Sequence, residues 1–184
     1  MRSIFEPEPI DLARACVIDV EASALGRGSY PIEVGVAWLD GRVMSWLIRP
    51  TAEWLERGEC DPAAEVLHGV SLEQMAAEGR PAAEVAEGVM AALSGQLPHS
   101  DMVGADDAWL ASLMAVIGHS YPRLEPLDDL LREVTTGSNK DRAAEVEQAM
   151  TEARAGWPRR HCAGDDAARL EEMVRILADR ADRL

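Results

Sequence analysis

The chain has 184 residues, a formal net charge of −15, and 47% hydrophobic and 28% charged residues. This composition is typical of a soluble globular protein, and residues 1–184 are predicted to form a single domain. No apolar stretch approaches the roughly 20 residues of a membrane span. The acidity argues against a broad basic surface that holds nucleic acid, but it leaves open an enzyme that meets phosphates through bound metal ions.

The amino terminus and the cysteines indicate the cellular compartment. The opening sequence MRSIFEPEPIDLARA has no apolar core of a signal peptide. Cys16, Cys60 and Cys162 stand at unrelated spacings, which favours reduced thiols over a disulfide framework or a zinc site. These features predict a cytoplasmic protein.

Residues 14–50 predict a three-stranded antiparallel meander. The first strand is an apolar run that ends in VIDVEAS, the second is YPIEVGVAWL with alternating apolar residues, and the third is RVMSWLIRP. Asp40-Gly41 lies between the last two and is a strong signal for a two-residue hairpin turn.

Helical spacing replaces the strand pattern after Pro50. Asp61-Pro62 and Ser71 are helix N-cap signals, and a longer helix is predicted from Pro81 to about Leu93. A short strand is predicted at residues 101–105.

The remaining segments are mainly helical in pattern. DDAWLASLMAVIG has an apolar helical face, residues 124–134 are ambiguous between a strand and a helix, and residues 139–155 form a polar, Ala-rich helix. A last amphipathic helix runs from Asp166 onward. Strands followed by alternating helix and strand predict an α/β domain with helices covering a mixed sheet.

Two acids, Asp19 and Glu21, follow the apolar run of the first strand. Side chains in a strand alternate between faces, so these two point the same way about 7 Å apart. Like charges at that distance repel unless a cation lies between them. For such a pair taken alone, a solvated strand end is the commoner explanation.

Three further residues add to this pair. Asp106 follows the predicted short strand, and His161 precedes Asp166 by five residues at the start of the last helix. Taken singly, each Asp is more commonly a helix cap, and the histidine is more commonly a surface loop residue. Their combination with the strand acids changes this interpretation.

The ensemble resembles the DEDDh branch of the 3′-5′ exonucleases, which belongs to the ribonuclease H-like superfamily. The first family motif, D-x-E, matches Asp19-Val-Glu21. The second is an Asp followed four residues later by a large apolar residue, which matches Asp106 to Leu110. The third, H-x4-D, matches His161 to Asp166, and a lesser H-G-hydrophobic tripeptide appears as His68-Gly-Val70.

The second motif departs from the family pattern, in which an Asn and an aromatic residue usually precede the Asp. This chain has Val103-Gly-Ala105 there. Asp106 is favoured over Asp107 because it places apolar residues at the family's apolar positions. The five-residue spacing favours Asp166 over Asp165.

The resemblance implies a ribonuclease H-like fold with a mixed five-stranded sheet that begins with the antiparallel meander. It also implies that Asp19, Glu21, Asp106 and Asp166 bind two divalent cations, with His161 as the general base. Oxygen-only ligands select Mg²⁺ or Mn²⁺. Two such ions bind a scissile phosphate and activate water, and histidine exchanges protons near neutral pH.

The loop after the first strand is predicted to contact the substrate through Glu21, Ala22, Ser23 and Ser29. A simple connecting loop is an equally good interpretation of residues 22–31. His68 is either a residue at the edge of the site or a packing residue at a helix end, and packing is favoured.

The leading hypothesis is a metal-dependent 3′-5′ exonuclease that releases nucleoside 5′-monophosphates from single-stranded DNA or RNA. One alternative is a catalytically weak module of the same fold that binds nucleic acid or serves as a scaffold, and another is a metal phosphoesterase for small nucleotides. Keeping four mutually repelling acids favours catalysis. The resemblance also makes a homodimer an expectation, whereas DNA and RNA substrates are not distinguished. His99 and His119 are predicted at the surface.

Overall fold

The computed structural model describes residues 9–136, 141–157 and 161–182. The predicted meander is confirmed: β1 (Ala15–Ala22) pairs antiparallel with β2 (Pro31–Trp38), which pairs antiparallel with β3 (Val43–Arg49). Gly41 has a φ of 85° in the β2–β3 turn, a left-handed conformation that glycine adopts without steric penalty.

Three short strands complete a mixed sheet. They are β4 (Arg80–Pro81), β5 (Leu97–Ser100) and β6 (Glu125–Pro126), and the spatial order is β4-β3-β2-β1-β5-β6. β5 runs parallel to both β1 and β6. The mixed sheet was predicted, but among the described residues it has six strands rather than five. The additional strand is β4, whose two residues are too few for an alternating pattern to be visible in the sequence.

Eight α-helices within the described ranges cover the sheet. Their bounds are α1 Ala52–Arg57, α2 Pro62–His68, α3 Leu72–Glu78, α4 Ala82–Leu93, α5 Val103–Ala115, α6 Leu127–Thr135, α7 Arg142–Gly156 and α8 Ala163–Arg180. The predicted N-caps of α2 and α3 are present, since Asp61 accepts a hydrogen bond from Ala63 N and Ser71 from Gln74 N. No helix in the described part of the chain has the length and apolar character of a bilayer span.

The predicted strand at 101–105 is wrong, because β5 lies at Leu97–Ser100 and α5 already begins at Val103. The sequence LPHS contains one proline and two polar residues, so its burial between β1 and β6 is not visible in its hydropathy. The surface prediction for His99 is also wrong: the residue is 2% exposed, and its Nδ1 lies 2.8 Å from the Leu97 carbonyl oxygen.

The remaining sequence expectations have mixed outcomes. Residues 124–134 contain both of the alternatives, the strand β6 and most of α6. The helix expected at 139–155 corresponds to α7, and residues 139–140 lie outside the described residues. His119 is exposed, as expected.

The two faces of β1 meet different helices. Cys16, Ile18 and Val20 pack in a core with α4 and α5, whereas Ala15 and Val17 pack in a second core with α6, α7 and α8. Because side chains alternate along a strand, Asp19 and Glu21 continue the second face. They therefore point toward the side of the sheet that α8 covers.

Two glycines allow α8 to approach the sheet at this point. Gly35 of β2 pairs with Asp19, and a Cβ at Gly35 would lie 2.1 Å from the carbonyl oxygen of Ala163. A Cβ at Gly164 would lie 2.8 Å from Ser45 Cβ. The absence of both side chains brings the first turn of α8, which carries Asp166, against the end of β1.

Candidate metal centre

The structure brings the four predicted acids together from three elements. Asp19 and Glu21 lie on β1, Asp106 lies in the first turn of α5, and Asp166 lies in the first turn of α8. The negative charges of the other three all raise the pKa of Asp19. The predicted acid cluster is therefore a spatial cluster.

Part of the cluster has the spacing of a metal site. One ligand atom each from Glu21, His161 and Asp166 lies within 4.8 Å of the other two. Two carboxylates and an imidazole at this spacing could coordinate one ion. The same spacing also places the His161 ring next to any ion that the two acids hold.

Asp19 is the least satisfied of these groups. Its Oδ2 is buried and has no hydrogen-bond partner among the described residues. Burial, followed by the charges of Asp106 and Glu21, raises its pKa well above the ordinary value of an aspartate. A buried carboxylate without a partner is costly, so this atom fits a site in which a hard cation supplies the missing charge.

Glu21 and Asp106 also have raised pKa values. Burial first, and then the charges of Asp166 and Glu33, raise the pKa of Glu21 to about 7. Burial raises the pKa of Asp106 to about 7, although hydrogen bonds from Ser100 and from the Val20 backbone oppose this rise. The fold therefore disfavours the ionised forms of these carboxylates. Mg²⁺ or Mn²⁺ would stabilise the ionised forms, because both ions prefer oxygen ligands.

The geometry separates Asp106 from its neighbour. Asp106 is 2% exposed, and it accepts hydrogen bonds from the Ser100 hydroxyl and the backbone N–H of Val20. Asp107 instead accepts a hydrogen bond from the Tyr121 hydroxyl at 3.1 Å. The side chain that meets the other acids is thus that of Asp106, the favoured candidate of the sequence.

Contacts to the backbone hold the third motif in place. His161 has a φ of 57°, and its N–H donates to Asp166 Oδ2 at 2.7 Å. Glu33 of β2 accepts a hydrogen bond from Ala163 N at 3.0 Å. A carboxylate at a helix N-terminus is favourable because of the helix dipole, so Glu33 ties the start of α8 to the sheet beside Glu21.

The predicted substrate residues of the loop have partners within the protein. Ser23 is buried, donates to the Glu59 carbonyl at 2.6 Å and accepts from Tyr30 N at 3.0 Å. Ser29 donates to the Gly26 carbonyl, and its hydroxyl accepts a hydrogen bond from Trp109 Nε1; both distances are 2.7 Å. Ala22 is buried as well. Substrate contacts of this loop stay predictions.

His68 combines the two interpretations that the sequence allowed. It is the last residue of α2, which Gly69 ends with a φ of 72°, and its Nδ1 accepts a hydrogen bond from Val70 N at 3.1 Å. Burial lowers the pKa of His68, and the charge of His161 contributes to the lowering. The residue thus packs at a helix end and lies close enough to the cluster to interact with it.

The sequence-based prediction did not include four residues of the centre: Ser100, Asp101, Glu33 and Arg169. Ser100 and Asp101 follow directly after β5, and the misplaced strand hid them. Glu33 had a visible signal, since it is an acid within an otherwise apolar strand that is buried throughout. Arg169 had none, because an arginine on an amphipathic helix is usually solvated; here it is 9% exposed and ion-paired with Asp166.

The six-stranded mixed sheet and its covering helices form an α/β fold that solved exonuclease structures share. Exonuclease I from Methylocaldum szegediense has a TM-score of 0.65 and 16% identity over 90% of this chain and 40% of its own. E. coli exonuclease I in complex with a dA16 oligonucleotide has a TM-score of 0.62 and 12% identity, covering 91% of this chain and 42% of its own.

A third solved structure covers both chains more evenly. It is a 3′-exonuclease that recognises the 3′ end of a histone mRNA stem-loop, with a TM-score of 0.58 and 15% identity over 90% of this chain and 81% of its own. No protein-family model and no curated protein sequence matches this chain. The chain spans about two fifths of the exonuclease I structures, and at these identities the likeness confirms the predicted fold.

Proposed function

We propose that this chain is a metal-dependent 3′-5′ exonuclease that acts on single-stranded nucleic acid and releases nucleoside 5′-monophosphates. The observation that carries the proposal is the convergence of Asp19, Glu21, Asp106, Asp166 and His161 at the carboxyl end of β1. The charges of the other acids raise the pKa values of Asp19 and Glu21, and bound cations would offset this repulsion. The fold adds support because its solved neighbours are exonucleases.

The four acids would hold two Mg²⁺ or Mn²⁺ ions, with the unpartnered Asp19 Oδ2 as one ligand atom. When bound, such ions polarise the scissile phosphate, lower the pKa of the attacking water and stabilise the leaving oxygen. The solved neighbours include a zinc-bound form of the complex of E. coli exonuclease I with single-stranded DNA. That structure is a precedent for a metal ion on this fold.

His161 would act as the general base. Its ring lies within 4.8 Å of ligand atoms of Glu21 and Asp166, close enough to accept a proton from a water held there. Its backbone is fixed by the hydrogen bond to Asp166 Oδ2. The same carboxylate would therefore bind an ion and orient the base.

The substrate class is proposed from the neighbours and from the loop. One neighbour holds a DNA oligonucleotide and another recognises the 3′ end of an mRNA stem-loop. Glu21, Ala22, Ser23 and Ser29 would line the place of the terminal nucleotide, with the backbone of this loop making the contacts because both hydroxyls are engaged. A homodimer and a cytoplasmic location stay predictions.

The test is a degradation assay with 5′-labelled single-stranded DNA, RNA and short oligoribonucleotides in Mn²⁺ or Mg²⁺. The wild type should shorten at least one of them stepwise from the 3′ end and release nucleoside 5′-monophosphates. Asp19→Ala and His161→Ala should each lower the rate by at least about 100-fold while the circular dichroism spectrum is unchanged. Full activity in either folded variant would refute the assignment.

Asp107 provides a matched control for its neighbour Asp106. Asp106→Ala should abolish hydrolysis, whereas Asp107→Ala, which removes only the side-chain acceptor of the Tyr121 hydroxyl, should keep most of the activity. If the wild type binds Mn²⁺ and oligonucleotide but hydrolyses none of the substrates, the protein is a nucleic-acid-binding module of this fold instead.

A further inference from the structure

A buried arginine lies among the acids of the centre. The side chain of Arg169 is 11% exposed and that of Asp166 is 10% exposed, and the two form an ion pair one turn apart on α8. An arginine is rarely so buried unless it is paired. Its guanidinium therefore lies inside the site rather than on the outer face of the helix.

The positive charge of Arg169 acts on more than one carboxylate. Asp101, which follows β5, interacts with both Asp166 and Arg169, and the guanidinium opposes the rise of the Asp101 pKa that loss of solvation causes. Asp101 and Asp166 in turn both act on Asp19. Arg169 thus acts directly on two carboxylates, Asp166 and Asp101, of a cluster that also contains Asp19, Glu21 and Asp106.

The ion pair does not remove Asp166 from the set of candidate ligands. Asp166 accepts from Arg169 through Oδ1 and from His161 N through Oδ2. Each carboxylate oxygen can accept twice, so a lone pair is left on each for an ion.

We propose that Arg169 is a fixed internal counter-ion that sets the charge of the acid cluster and thereby limits its affinity for divalent cations. The inference rests on the proposed metal site. Arg169 is a positioning residue here, since it acts through Asp166 and Asp101 rather than on the substrate. Removing its charge should strengthen the attraction between the five acids and a cation, at the expense of stability when no cation is supplied.

The test is calorimetric titration of Mn²⁺ into chelator-treated and dialysed wild type, Arg169→Gln and Arg169→Lys. Gln can still donate a hydrogen bond to Asp166 but has no charge, so Arg169→Gln should bind Mn²⁺ about tenfold more tightly, which corresponds to about 1.4 kcal/mol. Arg169→Lys keeps the charge and should bind within about twofold of the wild type. The Tm of Arg169→Gln should be lower than that of the wild type in chelator and recover with Mn²⁺.

Arg175→Gln is the matched control. It removes an arginine of the same helix whose ion-pair partners, Glu171, Glu172 and Asp179, are not among the acids of the cluster. It should leave the affinity for Mn²⁺ unchanged. Equal or weaker binding by Arg169→Gln would overturn the counter-ion role, and so would a large change in Arg169→Lys, which is decisive if the Gln variant does not fold. No Mn²⁺ binding by the wild type would refute the metal site itself, whereas the other two outcomes leave it standing.

Discussion

The two faces of β1 differ in chemistry: one is apolar along its length, and the other ends in two acids. Cys16, Ile18 and Val20 face α4 and α5, and each is at most 4% exposed in an apolar core. The other face begins with the buried Ala15 and Val17 and ends in Asp19 and Glu21. Burial of the first face stabilises the fold, whereas the acids at the end of the second face repel one another. The difference shows that stability and chemistry are divided between residues that are neighbours in sequence.

Ile18→Ala tests the apolar face and should have the largest effect. Ile18 is fully buried, so removing three methyl or methylene groups should lower the free energy of unfolding by about 3–4 kcal/mol. Urea denaturation followed by circular dichroism measures the change. A loss below about 1 kcal/mol would show that this face is not the tightly packed one.

Gly35→Ala tests the contact that brings α8 to the acid face. A Cβ there would lie 2.1 Å from the backbone oxygen of Ala163, so α8 must shift, and the free energy of unfolding should fall by about 2–3 kcal/mol. Because Asp166 moves with α8, calorimetry should also show weaker Mn²⁺ binding.

Gly104→Ala is the control for the Gly35 substitution. A Cβ at this helical position has nothing within 4 Å, and Ala should be neutral or slightly stabilising. If the two variants have equal stability and bind Mn²⁺ equally well, close approach at Gly35 does not position Asp166.

The apolar face and the meander were readable from the sequence because they follow local rules. Alternation of apolar residues and the Asp40-Gly41 turn predict β1 to β3 with their pairing. β5 was misplaced because its sequence, LPHS, owes its burial to flanking strands rather than to its own composition. The edge strand β4 was missed because its two residues, Arg80 and Pro81, are too few to show alternation.

The site was predictable only in part. Asp19, Glu21, Asp106, His161 and Asp166 could be found because their order and spacing match a motif set. Arg169, Glu33 and Asp101 have no such pattern, and only the packing of α8 on the sheet places them in the cluster. Sequence spacing identifies candidate ligands, whereas the counter-charges depend on tertiary contacts.

The smallest expected effect concerns the charge on the acid face. Glu21 and Asp106 have pKa values raised to about 7, and that of Asp19 is raised well above its usual range. The folded protein therefore keeps these protons at pH values where the unfolded chain, with carboxyl pKa values near 4, has lost them. The stability that these groups contribute is present below about pH 4 and is lost as the pH rises toward about 7.

Asp19→Asn isolates this contribution in chelator-treated protein. Asn removes the charge on which the other acids act, and its amide can donate to a neighbouring carboxylate. At pH 7.5 the variant should melt about 2–4 °C above the wild type, and the difference should shrink at pH 5, where the wild-type acids regain protons. Adding Mn²⁺ should raise the Tm of the wild type far more than that of the variant. A variant that is less stable than the wild type at pH 7.5 would show that Asp19 stabilises the fold, so that both faces of β1 would serve stability.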